Sequence, residues 1–217
     1  MLNIILMGPP GAGKGTHAVW IERDYKIPHI STGDMFREAM SSGSELGSKI
    51  KEIVNRGDLV SDELTCALVK ERLSRDDCAR GYLLDGFPRT IPQAESWEKI
   101  AKDIHREVSL VINISCPDEE LVKRISTRRV CPKCGASYNV VSMKPKKEGI
   151  CDICGTPLIQ RKDDNEASLK IRLANYYKST APLLSFYKKR GTLHDFDGMA
   201  GAEQLKVELN ALLASHK

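Results

Sequence analysis

Two stretches of this 217-residue chain hold residue types that do chemistry at fixed spacing. Residues 8 to 16 read GPPGAGKGT, after an apolar run and before a helix-like segment. Glycines at these intervals let several backbone N–H groups turn toward one anion. The helix N-terminus adds its partial positive charge, and the lysine adds a full one. Gly11, Ala12, Gly13, Lys14, Gly15 and Thr16 are therefore expected around a phosphate chain. Gly15 follows the lysine, so the hydroxyl that would meet a magnesium ion comes one place later than in the general pattern, at Thr16.

The second stretch contains CPKCG (131 to 135) and CDICG (151 to 155), two C-x2-C knuckles sixteen residues apart. Cys131, Cys134, Cys151 and Cys154 have the spacing of four thiolates around tetrahedral zinc. Such a metal could serve a nucleic-acid grip, catalysis, or a clamp on a moving part. With all four positions filled by protein, none is left for water or substrate, which points to a structural metal. The segment lacks the clustered basic and aromatic face of a nucleic-acid module, and KPKK (144 to 147) reads as a solvated run.

Two further pieces carry charge at positions where a ligand would lie. STGDMFR (31 to 37) caps a helix and sets Arg37 about one turn further on, and LLDGFPRT (83 to 90) ends an apolar strand with Asp85 and then Arg89. Ligands of open parallel sheets bind beyond the carboxyl ends of the strands. A carboxylate there can hold the water shell of magnesium, and an arginine can clamp a phosphate through two parallel hydrogen bonds.

The elements that must position these residues follow a βαβ rhythm, which predicts an α/β fold. Strands are expected at 3 to 7, 28 to 30, 82 to 85, 109 to 114 and 192 to 196. These runs are short, apolar and poor in alternation, as in a parallel sheet covered on both faces. Helices are expected from about Lys14, Thr32, Ser61, Pro92, Asp118, Glu166 and Gly201. Residues 127 to 164 break the rhythm, and the knuckles lie inside that break.

With 41% hydrophobic residues the chain can bury a full core, and a net charge of +4 does not argue for nucleic acid. MLNIIL has no basic stretch before it and is too short to span a bilayer, so a soluble cytoplasmic protein is expected. Seven cysteines without a secretion signal argue against a disulfide framework. Cys66, Cys78 and Cys116 read as buried apolar thiols, His29 as packed, and the five histidines as forming no constellation with the site.

GPPGAGKGT, STGDMFR, LLDGFPRT and the span from RRVC to QRKDD, in this order and spacing, resemble the adenylate kinases. The likeness is to the bacterial long form with a cysteine-rich lid, and it runs from residue 1 to about 213. It implies reversible phosphoryl transfer, ATP plus AMP giving two ADP, with Mg2+ and a structural Zn2+. It also implies a P-loop nucleotide kinase fold with a five-stranded parallel sheet. Residues 1 to 30, 61 to 126 and 165 to 217 would form the core, 31 to 60 a mobile AMP-binding segment, and 127 to 164 a mobile lid with a zinc ribbon. Arg37 and Arg89 would hold the AMP phosphate, while Arg124 and Arg128, four apart on one helix face, would reach the ATP phosphates. Arg161 and Arg172 would close over the transferring group. Thr32, the backbone of Asp58, Leu59 and Val60, the turn of Gly86, Phe87 and Pro88, and the amide of Gln93 would surround AMP. The ATP adenine would lie between Ser137 and Tyr138 of the lid and the loop near Ala200. The partners implied are ATP, AMP and ADP, with no nucleic acid or membrane and a monomeric chain. A kinase for another nucleoside monophosphate is one alternative, and a zinc-ribbon nucleic-acid or regulatory protein with a nucleotide-sensing P-loop is another.

Overall fold

The protein is described by a computed structural model for residues 1–41, 43–56 and 58–216. Positions 42 and 57 of the expected AMP-binding segment and the last residue of the expected core, 217, lie outside the described residues.

The strand β1 (Leu2–Met7) is buried along its whole length, as its unbroken apolar sequence requires. It pairs in parallel with β3 (Gly81–Asp85) on one side and β4 (Leu110–Ser115) on the other. Outside these lie β2 (His29–Ser31) and the strand at Leu193–Asp197, completing a parallel sheet of five strands. Residues of alternate parity feed two cores. Leu2, Ile4, Leu6, Ile112 and Ile114 pack under α1 (Lys14–Tyr25), the helices at Asp118–Thr127 and Glu166–Asn175, and the C-terminal helix at Ala202–Ala214. Ile5, Met7, Leu84 and Val111 pack on the other face, under helices at Asp62–Leu73, Ile91–Asp103 and Pro182–Lys189. Each fully buried Leu or Ile side chain contributes about 1.5–3 kcal/mol, so the two-faced burial of β1 and β4 makes them the rigid base of the site.

In chain order the remaining helices are α2 (Thr32–Ser41), α3 (Glu45–Arg56), α4 (Asp62–Leu73), α5 (Ile91–Asp103), α6 (Asp118–Thr127), α7 (Glu166–Asn175), α8 (Pro182–Lys189) and α9 (Ala202–Ala214). The expected starts coincide with the observed ones or fall within one residue of them, because caps are local. Ser61 accepts from the Leu64 N–H at the head of α4, and Thr90 accepts from the Gln93 N–H at the head of α5. No start was expected for α3 or α8. Serine and glycine at 41, 43 and 44 interrupt the helix begun at Thr32, and Pro182 takes a first-turn position that needs no N–H. A π-helical turn, Tyr176–Thr180, joins α7 to α8. No helix among the described residues is long and apolar enough to cross a membrane.

Two expectations are corrected. The last strand of the large sheet is not buried on both faces, since Asp195 and Asp197 are exposed; it occupies the edge of the sheet. Arg128 does not share a helix face with Arg124. The helix ends at Thr127, and Arg128 takes extended angles (φ −68, ψ 140) as the first residue of β5 (Arg128–Val130). That strand pairs antiparallel with β6 (Ser137–Asn139), which makes the sheet's edge strand at Leu193–Asp197 β7. The 127 to 164 region is thus a small β unit, whose buried cluster consists of Cys131, Ala136, Tyr138 and Cys151.

Candidate active site

The loop after β1 presses against the end of β4. A Cβ at Gly8, where φ is 134, would come within 2.3 Å of the Ile114 carbonyl oxygen, so the approach needs glycine. Gly13 caps α1 in a left-handed conformation with no side-chain hydrogen bond; the Thr16 N–H turns back to the Gly13 carbonyl (3.0 Å), which leaves the N–H groups of Lys14 and Gly15 to a ligand. Lys14 arches back over this loop, its Nζ donating to the carbonyls of Gly8 (2.8 Å) and Pro9 (3.0 Å). Burial lowers its pKa to about 8; repulsion from Arg89, Arg172 and Arg128 adds to this, and only Asp85 opposes it.

Asp85 ends β3 in the same pocket. Burial favours its neutral form, but His29, Lys14 and Arg89 outweigh burial and hold the carboxyl below its usual range. His29 Nε2 lies 3.6 Å from Asp85 Oδ2, which corrects the expectation that no histidine belongs to the site. Parallel pairing of β2 and β3 brings the two together, a long-range contact with no signature in the local sequence.

Arg89 is fixed from several sides. Its Nε donates to the Gly86 carbonyl (2.7 Å), which also accepts from the Thr32 hydroxyl (2.9 Å). Gly86 has φ 80, and a Cβ there would lie 2.9 Å from both Arg89 Nη2 and Thr32 Oγ1. The Thr180 hydroxyl, from the π-helical turn, donates to the Arg89 carbonyl (2.9 Å). Gln93, which reads in isolation as a helix-surface residue, is 2% exposed. Its Oε1 accepts from the Arg89 N–H and its Nε2 donates to Asp62, both at 2.7 Å. Arg37, Asp58, Leu59, Val60, Gly86, Arg89 and Gln93 line one pocket together with Arg172. Phe87 instead turns into the core, edge-on to Trp97, whereas Pro88 faces the larger cleft.

That cleft, about 1800 Å³, joins the loop of residues 8 to 16 to the β unit. Arg124 is held by Glu120 (3.0 Å) and by the Gly198 carbonyl (3.0 Å), beside Ala200. Arg128 makes a two-pronged ion pair with Asp164, whose side chain is fully buried, and Arg172 pairs with Asp163 at 3.1 Å. Arg37 pairs with Asp34. Burial lowers Arg161 to about 10, with Arg37 and Arg128 repelling it, and lowers Arg89 and Arg172 as well. Gly11, Ala12, Gly13, Gly15, Thr16 and Ser137 also line this cleft. Tyr138 borders it but turns its hydroxyl into the small unit, accepting from the Asp152 N–H at 2.8 Å. Asp163 and Asp164 were not singled out in the sequence, since their arginine partners lie on other elements.

These cations crowd together faster than nearby acids neutralise them, and burial strengthens every interaction they make. Such a cleft suits a ligand carrying several negative charges on tetrahedral oxyanions.

In the small β unit the sulfurs of Cys131, Cys134, Cys151 and Cys154 lie within 4.8 Å of one another. The Cys131–Cys154 and Cys134–Cys151 pairs are 3.4 and 3.5 Å apart. Four sulfurs at 2.3 Å from a tetrahedral centre would stand about 3.8 Å apart, so the set fits a metal such as zinc. The knuckles match in backbone as well, with Gly135 and Gly155 donating to the carbonyls of Cys131 and Cys151. The Tyr138 hydroxyl chiefly holds Cys151 down to about 6, whereas burial and the adjacent sulfurs push Cys134 up to about 12. A divalent cation would let all four ionise together.

A family model described as adenylate kinase matches residues 6–192. An adenylate kinase of Acetivibrio thermocellus is 51% identical over 212 residues, covering 97% of this chain and 98% of that protein. One from Archaeoglobus fulgidus is 47% identical over 216 residues and the full length of both. A third, from Oceanobacillus iheyensis, is 54% identical over 197 residues, 91% and 92% of the two chains.

Proposed function

The chain belongs to the adenylate kinase family, whose reaction converts ATP and AMP to two ADP, and we propose how its own residues carry that reaction out. The observation that carries the assignment of roles is the convergence of Lys14, Arg89, Arg161 and Arg172, all held below their ordinary pKa by burial in one cleft.

Phosphoryl transfer asks the protein to align two anions and offset the charge that develops between them. The loop from Gly11 to Thr16 cradles the ATP phosphates with its backbone N–H groups, and Lys14 leaves the carbonyls of Gly8 and Pro9 to meet the outer phosphates. Arg124 and Arg128 approach the same phosphates from the last turn of α6 and from β5 of the lid. Arg37 and Arg89 hold the AMP phosphate, while Arg161 and Arg172 bridge the two nucleotides. The contact of Arg161 with the field of Arg37 supports that bridging position. Thr32, the backbone of Asp58, Leu59 and Val60, the turn at Gly86 and the amide of Gln93 enclose the AMP base and ribose; most of them line one pocket. Ser137, Tyr138 and Ala200 border the ATP adenine.

Asp85, ionised at the strand end beside Lys14, is the residue that would hold the water shell of Mg2+, with Thr16 nearby. When bound with ATP, that ion supplies charge neutralisation on the phosphates. Zinc on the four cysteines would hold the lid together and take no part in the reaction.

Residues 31 to 60 and 127 to 164 are the segments that move over the core at 1 to 30, 61 to 126 and 165 to 217. Each has a small cluster of its own in support, Phe36, Ile50 and Val60 in one and Cys131, Ala136, Tyr138 and Cys151 in the other. The chain is read as a monomer. Thiol ligation of zinc supports a reducing, cytoplasmic setting.

A coupled assay with ATP as donor and AMP, CMP, UMP and GMP as acceptors tests the acceptor. AMP should give the highest kcat/KM; preference for any of the other three would replace adenine recognition with a different base.

A further inference from the structure

We infer that Asp62, which touches neither nucleotide, sets which purine the acceptor pocket takes by locking the orientation of the Gln93 amide. The inference rests on the reading above that Gln93 faces the acceptor base.

An amide side chain presents a donor group and an acceptor group on nearly the same outline, and turning it by half a revolution exchanges them. In this structure that turn is blocked from two directions. Asp62 Oδ1 lies 2.7 Å from Gln93 Nε2, and a carboxylate only accepts. The backbone N–H of Arg89 lies 2.7 Å from Gln93 Oε1, and a peptide N–H only donates. Reversing the amide would set oxygen against oxygen at one end and N–H against N–H at the other. Asp62 is itself held, since its Oδ2 accepts from the Thr90 hydroxyl at 3.1 Å and that hydroxyl caps α5 by accepting from the Gln93 N–H at 3.1 Å. Gln93 is 2% exposed and lines the pocket with Arg37 and Arg89.

After these bonds are made, Gln93 keeps one N–H and one oxygen lone pair, in a fixed order. A 6-aminopurine offers a ring-nitrogen acceptor beside an amino donor, which matches one order. A 6-oxopurine offers a ring N–H beside a carbonyl, which matches the opposite order. The lock therefore favours AMP over IMP and GMP, and half of it is supplied from the first residue of α4, just after the AMP-binding segment rejoins the core.

The test compares kcat/KM for AMP and IMP, at saturating ATP, in the full-length protein and two variants. Asp62→Asn fills the same space, but its own amide can present either a donor or an acceptor to Gln93, while Thr90 can turn its hydroxyl to suit. We expect the AMP-to-IMP ratio to fall about tenfold, the worth of one hydrogen bond. The change should appear in KM for the monophosphates, with kcat, KM for ATP and the thermal midpoint held. If Asp62 merely braced α5, AMP and IMP would weaken together and the ratio would stay put, which would overturn the proposal. Gln93→Leu separates the two levels of inference. A lowered ratio in Gln93→Leu with an unchanged ratio in Asp62→Asn rejects the lock alone. An unchanged AMP KM and ratio in Gln93→Leu rejects the placement of Gln93 at the base, and the lock with it.

Discussion

Replacing Lys14 by methionine is expected to lower kcat by about a thousandfold while leaving the thermal midpoint at or above that of the parent protein. Removing one well-placed neutral donor from a water-excluded site costs about a hundredfold to a thousandfold, and a full charge on the transferring phosphates belongs at the upper end. The stability half of the expectation follows from linkage. The folded-state pKa of Lys14 is lowered from 10.5 to about 8, with burial as the largest cause. The unfolded chain therefore binds more protons between those values, and the contribution of Lys14 to stability is least favourable below pH 8, where it is charged in the fold. Methionine removes that buried charge at neutral pH and keeps an unbranched chain over the loop. The same shift gives a pH profile: kcat/KM for ATP should decline as pH rises through about 8, because the free enzyme loses the ammonium. Calorimetry beside steady-state kinetics checks all three. A lowered midpoint with normal turnover would show Lys14 to be a structural residue.

Stripping the metal from the cysteine cluster is expected to unfold the lid by itself and lower turnover about a hundredfold, the scale of a misplaced catalytic group. The segment from 127 to 164 is below the size at which a domain holds a core unaided. Its buried cluster is Cys131, Ala136, Tyr138 and Cys151, with Leu158 partly buried against it. Full burial of a side chain such as Leu is worth about 1.5–3 kcal/mol, whereas structural zinc sites supply about 10–16 kcal/mol of binding free energy. The metal term decides. Without it Arg128 and Arg161 lose their places over the cleft, while Arg37 and Arg89, which lie outside the 127 to 164 segment, keep theirs. The preferred acceptor should therefore not change. A calorimetric scan after verified metal loss should show a new low-temperature transition; melting identical to that of the loaded protein would refute the role.

What could be read from the sequence was local. GPPGAGKGT announces its loop because glycine, lysine and a helix start must be contiguous to bind phosphate, and the two knuckles announce the cluster of four sulfurs because each pair is contiguous. β1, β3 and β4 are found within a residue because a doubly covered parallel strand must be apolar throughout. What escaped depends on chain returns. Arg128 leaves the helix because the chain turns into β5 one residue earlier than spacing suggests. His29 reaches Asp85 only across a strand pairing, and the buried Asp164 meets Arg128 from far back in the chain and Arg172 from α7. Gln93 reads as a surface amide until Asp62 and the Arg89 N–H are seen at its two ends.

The claim on which the rest depends is that one cleft holds the phosphates of both nucleotides in line. A single molecule with two adenosines joined by five phosphates would span the loop at Lys14 and the pocket at Arg89 at once. Titration calorimetry should find one equivalent bound, at least a hundredfold tighter than ATP or AMP alone on the scale of linked binding, and Arg161→Ala should lose most of that advantage. Two equivalents bound, or an affinity no better than that of ATP, would contradict the shared cleft.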